Sequence, residues 1–144
     1  IRPPMVYGKD APGNIDSLVK LVKKLPIIPL GGIENKRSFI SIQNLCHLID
    51  VVIERQKAGV FLASDDELLS TSRLIELISK NLNKKVYLLK IPFFESLLKL
   101  VKPSFHKRLY GSLEVDNNIT KEKLNLKNRY SVEEGIRLML NGEC

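Results

Sequence analysis

Apolar residues recur along this chain with a helical period in some segments and with a two-residue period in others. Apolar positions three or four residues apart bury one face of a helix, whereas alternation is typical of strands. The first pattern predicts helices over residues 14–25, 43–57, 72–82, 93–102, 119–124 and 131–140. Alternation predicts a strand over residues 36–42, and short apolar segments predict extended structure over residues 1–6, 27–32, 60–63, 86–91 and 113–115. Because the two alternate, we predict an α/β fold, a small mixed sheet with flanking helices.

Several of the predicted helix ends carry local signals. Ser131, with Glu134 three residues later, forms a capping-box pattern at the start of the last helix. Asp116 is expected to cap the short helix that follows it. Pro26 and Pro103 are expected to end helices, because proline disfavours the helical conformation in the residue before it.

The first eight residues have the pattern of a buried strand that ends in a loop at Gly8. A strand needs neighbouring strands to pair its backbone groups. We therefore expect this chain to be the second half of a larger protein.

The chain carries 23 Lys and Arg residues against 16 Asp and Glu, a net charge of +7, which favours anionic partners. Nucleic acid, an acidic membrane surface and a phosphorylated small molecule all fit this charge. The basic residues fall in short pairs without interleaved aromatic side chains, which argues against nucleic acid. No apolar run reaches the roughly 18 to 20 residues of a membrane span, and the start lacks a secretory-signal pattern. We therefore expect a cytoplasmic protein without a membrane span.

Six short segments, taken in order, resemble the carboxy-terminal part of an extended short-chain dehydrogenase/reductase. Within that superfamily the chain is most similar to nucleotide-sugar epimerases of the UDP-galactose 4-epimerase type. The segments are RPPMVYG (2–8), GN (13–14), PLG (29–31), RSFISIQNL (37–45), GSLEVD (111–116) and YSVEEGI (130–136).

The resemblance implies a two-domain enzyme in which an amino-terminal Rossmann domain binds NAD and a smaller domain binds the UDP-sugar. Residues 1–8 would be the last Rossmann strand and residues 9–144 the nucleotide-sugar-binding domain. With its Rossmann neighbours missing, the strand at residues 1–6 is expected to be disordered or paired with another copy, as in a homodimer.

Two motifs that this chemistry requires are not in the sequence. No Gly-x-Gly-x-x-Gly fingerprint occurs, and none of the four tyrosines has Lys at the fourth position after it. In the family, the tyrosinate takes the hydroxyl proton of the sugar and NAD removes the hydride. We therefore expect this chain to bind no NAD, to contribute no catalytic residue, and to be inactive alone.

The resemblance also implies which residues bind the UDP-sugar. Arg37 occupies the place of an arginine that is expected to contact the diphosphate, although Ser38 and Phe39 replace the commoner Asp and Tyr. Asn14 matches an asparagine at a helix start, where its amide and the helix N-terminus can meet a phosphate; a plain N-cap is the alternative. A surface arginine on a strand is the alternative for Arg37.

Ile28 and Leu30 resemble the segment that flanks the uracil, with core packing as the alternative. Arg108 matches a second diphosphate arginine, although its surroundings depart from the usual Arg-x-Gly-Asp pattern, and Lys107 is an alternative. No metal site is expected. A dehydratase or ketoreductase of the same superfamily, and a stand-alone binding domain, remain alternatives to the epimerase.

Overall fold

The structure, a computed structural model, describes residues 1–11 and 14–142, without the side chain of Asn14. The elements follow one another as β1 (Met5–Tyr7), α1 (Asn14–Lys24), β2 (Ile27–Ile28), β3 (Phe39–Ser41), α2 (Ile42–Glu54), α3 (Thr71–Asn81), β4 (Tyr87–Leu88), α4 (Phe94–Val101), α5 (Pro103–Tyr110), α6 (Asn118–Leu124) and α7 (Val132–Asn141). The mixture of helices and short strands confirms the predicted α/β class.

The chain divides into two compact units, each made of separate stretches of sequence. The first unit comprises residues 1–11, 38–68 and 114–144, and the second comprises residues 12–37 and 69–113. The predicted boundary after residue 8 stays a prediction.

In the first unit, β1 pairs in parallel with β3, and α2 and α7 pack on β3. The register joins Met5 to Phe39 and Tyr7 to Ser41. Around this pair lies a core of buried apolar side chains, namely Ile40, Leu48, Val51, Phe61, Ala63, Leu124 and Leu126. Burial of these side chains is the main force that holds the unit together.

The expectation that residues 1–6 would be disordered or paired with another copy of the chain is wrong. Besides the β1 pairing, the backbone N–H of Arg2 donates to the carbonyl of Phe61 at 2.8 Å, and Arg2 forms a bridge with Leu62. Segments 39–41 and 61–63 of the same chain therefore provide the neighbours that the opening strand needs.

In the second unit, β2 pairs in parallel with β4, α1 packs against α3, and α4 packs against α5. The predicted single sheet is thus replaced, among the described residues, by two parallel pairs of strands. Pro26 and Pro29 flank β2 and supply no backbone donor, which limits this pairing to a short ladder.

Local signals predicted the helices better than the strands. The capping box at the start of α7 is confirmed, with Ser131 and Glu134 bonded to each other's backbone N–H groups. The predicted strand at 60–63 contributes only the bridge at Leu62. Helix α5 differs from the sequence prediction, in which Pro103 only ends a helix. Proline is also common at the first position of a helix, and Pro103 occupies that position.

Candidate functional site

All five residues that the sequence analysis selected for nucleotide-sugar binding belong to the second unit. Asn14 begins α1, Ile28 ends β2, and Arg108 lies in the last turn of α5. Leu30 and Arg37 lie in the segment between β2 and β3. The side chain of Asn14 lies outside the described residues.

A cavity of about 290 Å³ opens between α1, α4, α5 and the segment that follows β2. Two of the selected residues, Leu30 and Arg108, line it. The rest of its lining is largely apolar, and comprises Ser17, Leu18, Leu21, Leu25, Pro29, Phe94, Leu98, Phe105 and Leu109. An apolar cavity with a few polar groups at its border is the usual form of a small-molecule site.

Arg37 lies next to this cavity through its contact with Arg108. Its Nη1 donates a hydrogen bond to the carbonyl oxygen of Arg108. Its backbone is fixed on both sides by Leu69, with N···O distances of 3.0 and 2.9 Å. Burial lowers the pKa of the Arg37 guanidinium from its usual range, yet an arginine in a protein stays charged. The second unit therefore holds two guanidinium groups on adjoining segments.

Asn35, which the sequence analysis missed, fixes these two segments together. Its side-chain nitrogen donates to the carbonyls of Leu109, at 3.1 Å, and Gly111, at 2.9 Å. Its side-chain oxygen accepts from the backbone N–H of Thr71 at 2.9 Å. The residue is 8% exposed, and its bonds to Leu109 and Thr71 form away from water. One buried amide thus joins the segment that leads to Arg37 with the end of the helix that carries Arg108.

The segment at residues 29–33 is held in the same way by Ser72. The Ser72 hydroxyl donates to the carbonyl of Leu30 at 2.7 Å and accepts from the backbone N–H of Ile33 at 2.9 Å. Gly31 lies so close to β4 that a Cβ there would come within 2.8 Å of the carbonyl carbon of Leu89. Any larger residue at position 31 would push this segment away from β4.

Ile28 differs from the other selected residues because its side chain is fully buried. Its carbonyl accepts from the backbone N–H of Leu89 at 3.0 Å. Both its side chain and its carbonyl therefore serve the packing of the second unit. Lys107, the alternative to Arg108, is exposed and lies in the same turn of α5.

A second cavity, of about 390 Å³, shares Pro29 with the first and includes Lys90, Glu95 and Tyr110 in its lining. His106 lies beside these residues: its Nε2 is 3.1 Å from Oε1 of Glu95, and its ring stacks on that of Tyr110. Burial, followed by the nearby charge of Glu95, raises the pKa of Tyr110 above its usual range. This cavity offers polar groups that the first one largely lacks.

The adjacent carboxylates Asp65 and Asp66 do not act as a pair. Asp65 is buried and accepts hydrogen bonds from Tyr7 at 2.7 Å and from Asn44 at 2.7 Å. Asp66 is exposed and forms an ion pair with Lys121 at 2.7 Å. Their different surroundings agree with an ordinary structural role in the first unit rather than with paired acid and base chemistry.

Within the part of the chain that the structure describes, no three His, Cys, Asp or Glu side chains come together in an arrangement that could hold a metal ion. No helix formed by these residues is long and apolar enough to cross a membrane.

Comparison with known proteins gives a consistent result. The UDP-glucose 4-epimerase of Vibrio cholerae is 39% identical over 145 aligned positions, which cover 95% of this chain and 44% of that protein. No family model matches the chain.

Two solved structures show the same fold at low sequence identity. The UDP-glucose 4-epimerase of Thermotoga maritima with UDP-glucose has a TM-score of 0.66 and 18% identity, covering 97% of this chain and 43% of that one. The dTDP-4-dehydrorhamnose reductase of Bacillus anthracis, in complex with NADP, has a TM-score of 0.71 and 19% identity. That match covers 98% of this chain and 46% of the reductase. The chain thus spans less than half the length of these proteins.

Proposed function

The sequence and fold of this chain are those of the extended short-chain dehydrogenase/reductase family, and on that premise we propose that it binds the nucleotide-sugar substrate of an NAD-dependent UDP-hexose 4-epimerase. Two observations carry the proposal: Leu30 and Arg108 line one cavity of the second unit, and Arg37 donates a hydrogen bond to the Arg108 carbonyl. Arg108 lies 71 residues after Arg37, so it is the fold that brings these two residues together.

The two arginines are suited to the diphosphate. A guanidinium carries five N–H donors in a planar fork, which matches the oxygens of a phosphate group. The diphosphate would lie against Arg37 and Arg108, and the first turn of α1, which contributes Ser17 to the cavity, would add the positive end of a helix dipole. Asn14, at the start of α1, would contact the same anion.

The apolar part of the cavity would receive the uracil. Leu30 and Pro29 supply a flat apolar contact there, and Ile28 supports them from the core. The bonds from Ser72 hold the carbonyl of Leu30 and the N–H of Ile33 in fixed positions. A preorganised segment loses less entropy when a ligand binds than a mobile one does.

We infer that the described residues of this chain do not form an NAD site. A pyrophosphate cradle needs glycines whose backbone is open to a phosphate. A Cβ on Gly8 would come within 2.7 Å of Ile42, and one on Gly135 would come within 2.6 Å of the Tyr7 hydroxyl. These close approaches are filled by atoms of the chain itself, and the sequence has no dinucleotide fingerprint. We therefore assign NAD, and the hydride transfer that NAD supplies, to an amino-terminal Rossmann domain of the parent enzyme.

The second candidate function is substrate binding for a nucleotide-sugar reductase or dehydratase of the same superfamily. The structural match to a dTDP-sugar reductase favours it. The nucleotide distinguishes the two candidate functions, because dTDP carries thymine and a deoxyribose where UDP carries uracil and a ribose.

Calorimetric titration of the chain with UDP, uridine and dTDP tests the proposal. We expect UDP to bind, uridine to bind at least about tenfold more weakly because it lacks the charge-assisted phosphate contacts, and dTDP to bind more weakly than UDP. Equal affinities for UDP and uridine would rule out the diphosphate site. Tighter binding of dTDP than of UDP would favour the reductase or dehydratase.

A further inference from the structure

Helix α4 presents a row of apolar side chains to solvent. Phe93, Leu97, Leu100 and Val101 are 86, 58, 83 and 64% exposed. Their spacing places Leu97, Leu100 and Val101 on one face of the helix, and Phe93 immediately precedes it. We call these four residues the α4 stripe. Single exposed apolar residues are common on proteins, but a contiguous set of large ones marks an interaction surface.

The α4 stripe is not the face that packs into the second unit. That task belongs to Phe94 and Leu98, which line the 290 Å³ cavity and are only partly exposed. Phe93, which precedes the helix, has a φ of +64°, a conformation uncommon for a bulky residue. The chain therefore begins α4 with a strained residue whose ring points into solvent. Such strain is typically retained where a function requires it.

The charge around the stripe is strongly positive. Residues 84–108 contain seven Lys and Arg residues and one acidic residue, Glu95, so this segment carries +6 of the net +7 of the chain. Lys90, Lys99 and Lys102 are exposed on or beside α4. Glu95 is hydrogen-bonded to His106. The apolar stripe thus lies in a segment in which cationic side chains greatly outnumber acidic ones.

We propose that the α4 stripe and its flanking lysines dock on the surface of a lipid bilayer that contains anionic lipids. In this arrangement α4 lies in the plane of the interface. Its phenylalanine, leucines and valine enter the boundary between headgroups and acyl chains, and its lysines meet the lipid phosphates. A face with large apolar residues beside lysines is the pattern of an interfacial helix.

The charge also argues against two other occupants. A second copy of the chain would bring two segments of charge +6 together and repel. A nucleic acid would gain from the lysines, but the four apolar side chains offer no hydrogen bonds to its bases or phosphates. An anionic bilayer offers acyl chains to the apolar side chains and phosphates to the lysines.

Co-sedimentation of the full chain with vesicles tests the proposal. Vesicles of phosphatidylcholine mixed with phosphatidylglycerol are compared with vesicles of phosphatidylcholine alone, at low and high salt. We expect binding to the mixed vesicles, much weaker binding to phosphatidylcholine, and loss of binding as salt increases. Failure to bind the mixed vesicles, or equal binding to both kinds, would overturn the proposal.

Two double variants, each with a matched control, separate the contribution of the α4 stripe from nonspecific apolar and electrostatic binding. We expect Leu97→Ser with Leu100→Ser to weaken binding about tenfold or more, whereas Ile53→Ser with Ile119→Ser, exposed to a similar degree in the first unit, leaves it unchanged. Lys99→Glu with Lys102→Glu should weaken binding about fivefold or more for each lysine. Lys57→Glu with Lys127→Glu changes the net charge equally and should have much less effect.

The proposal is overturned if each control double variant weakens binding as much as the double variant that it controls. It is also overturned if sedimentation equilibrium shows a dimer that the Leu97 and Leu100 changes dissociate, because the stripe would then be an interface between copies.

Discussion

The hydroxyl of Tyr7 donates a 2.7 Å hydrogen bond to Oδ2 of Asp65, and it joins the strand that opens the chain to a carboxylate 58 residues later. Oδ2 also accepts from the backbone N–H of Ser41 at 3.1 Å, and Oδ1 accepts from Asn44 at 2.7 Å. Both Tyr7 and Asp65 are buried. This network holds β1, β3 and α2 of the first unit in one arrangement, and two predictions follow from its chemistry.

The first concerns pH. Burial raises the pKa of Asp65 above its ordinary value, although hydrogen bonds from Asn44 and Tyr7 partly oppose the shift. The folded state therefore binds the proton more tightly than the unfolded state, so ionisation of Asp65 reduces stability as pH rises from about 4, the unfolded pKa, through the folded pKa. We expect the difference in unfolding free energy between wild type and Asp65→Asn to shift against wild type across this range. Urea unfolding at several pH values measures it, and a difference independent of pH would contradict the prediction.

The second concerns Gly135 in α7. Alanine usually stabilises a helix by about 1 kcal/mol relative to glycine. At position 135, however, a Cβ would lie 2.6 Å from the Tyr7 hydroxyl oxygen and 3.1 Å from Cβ of Ser41. We expect Gly135→Ala to destabilise the protein, by about 1 to 3 kcal/mol as in other overpacked cores.

Thermal unfolding of four proteins checks this prediction: wild type, Gly135→Ala, Tyr7→Phe and the double variant. Because Tyr7→Phe removes the oxygen that clashes, Gly135→Ala should cost less in the Tyr7→Phe background. A Gly135→Ala variant more stable than wild type would show that Tyr7 does not restrict this position.

In the second unit, Asn35 should matter more for stability than its place in a polar stretch suggests. Asn35→Ala removes the partners of the Gly111 carbonyl and of the Thr71 N–H, and one of two donors to the Leu109 carbonyl, which keeps the Thr71 hydroxyl. Each buried group left unpaired costs about 1 to 3 kcal/mol. We expect a large loss of stability in urea, whereas the exposed Asn118→Ala should have a small effect. Equal effects of the two changes would mean that the Asn35 bonds contribute little.

The capping box of α7 provides a prediction from local chemistry alone. Ser131→Ala removes the side-chain acceptor of the Glu134 N–H, and such changes typically cost about 0.5 to 2 kcal/mol. Hydrogen bonds from the backbone and hydroxyl of Ser131 lower the pKa of Glu134, so this contribution is present above the unfolded pKa and is lost as pH falls through the folded pKa. We therefore expect the stability difference between wild type and Ser131→Ala to shrink on acidification. A difference that stays constant would argue against the hydrogen bond from the Ser131 hydroxyl to the Glu134 carboxylate.

The extent to which the sequence predicted the structure depended on distance along the chain. The start of α7 and the apolar face of α1 are set by residues within one or two turns of each other, and both were predictable. The pairing of β1 with β3 joins residues more than thirty positions apart, and residues 1–6 carry no mark of their partner.

In the candidate site, too, residues within short motifs were predictable from the sequence, whereas long-range partners were not. Arg37, Arg108 and Leu30 were selected through a family resemblance in short motifs. The role of Asn35 depends on Leu109 and Gly111, which are 74 and 76 residues away, and no pattern around Asn35 points to them. Long-range partners of single polar residues are fixed by the tertiary fold, which local periodicity does not encode.

The affinity of the chain for UDP with and without the Arg37 side chain tests the account most directly. In the proposed site, Arg37→Ala would remove a bidentate, charge-assisted contact worth about 1.5 to 3 kcal/mol, so calorimetry should show at least about tenfold weaker binding. Arg73→Ala, which removes an exposed arginine of the same unit that pairs with Glu76, is the matched control and should leave the affinity unchanged. Identical UDP affinities in wild type and in a folded Arg37→Ala variant would contradict the proposed diphosphate site.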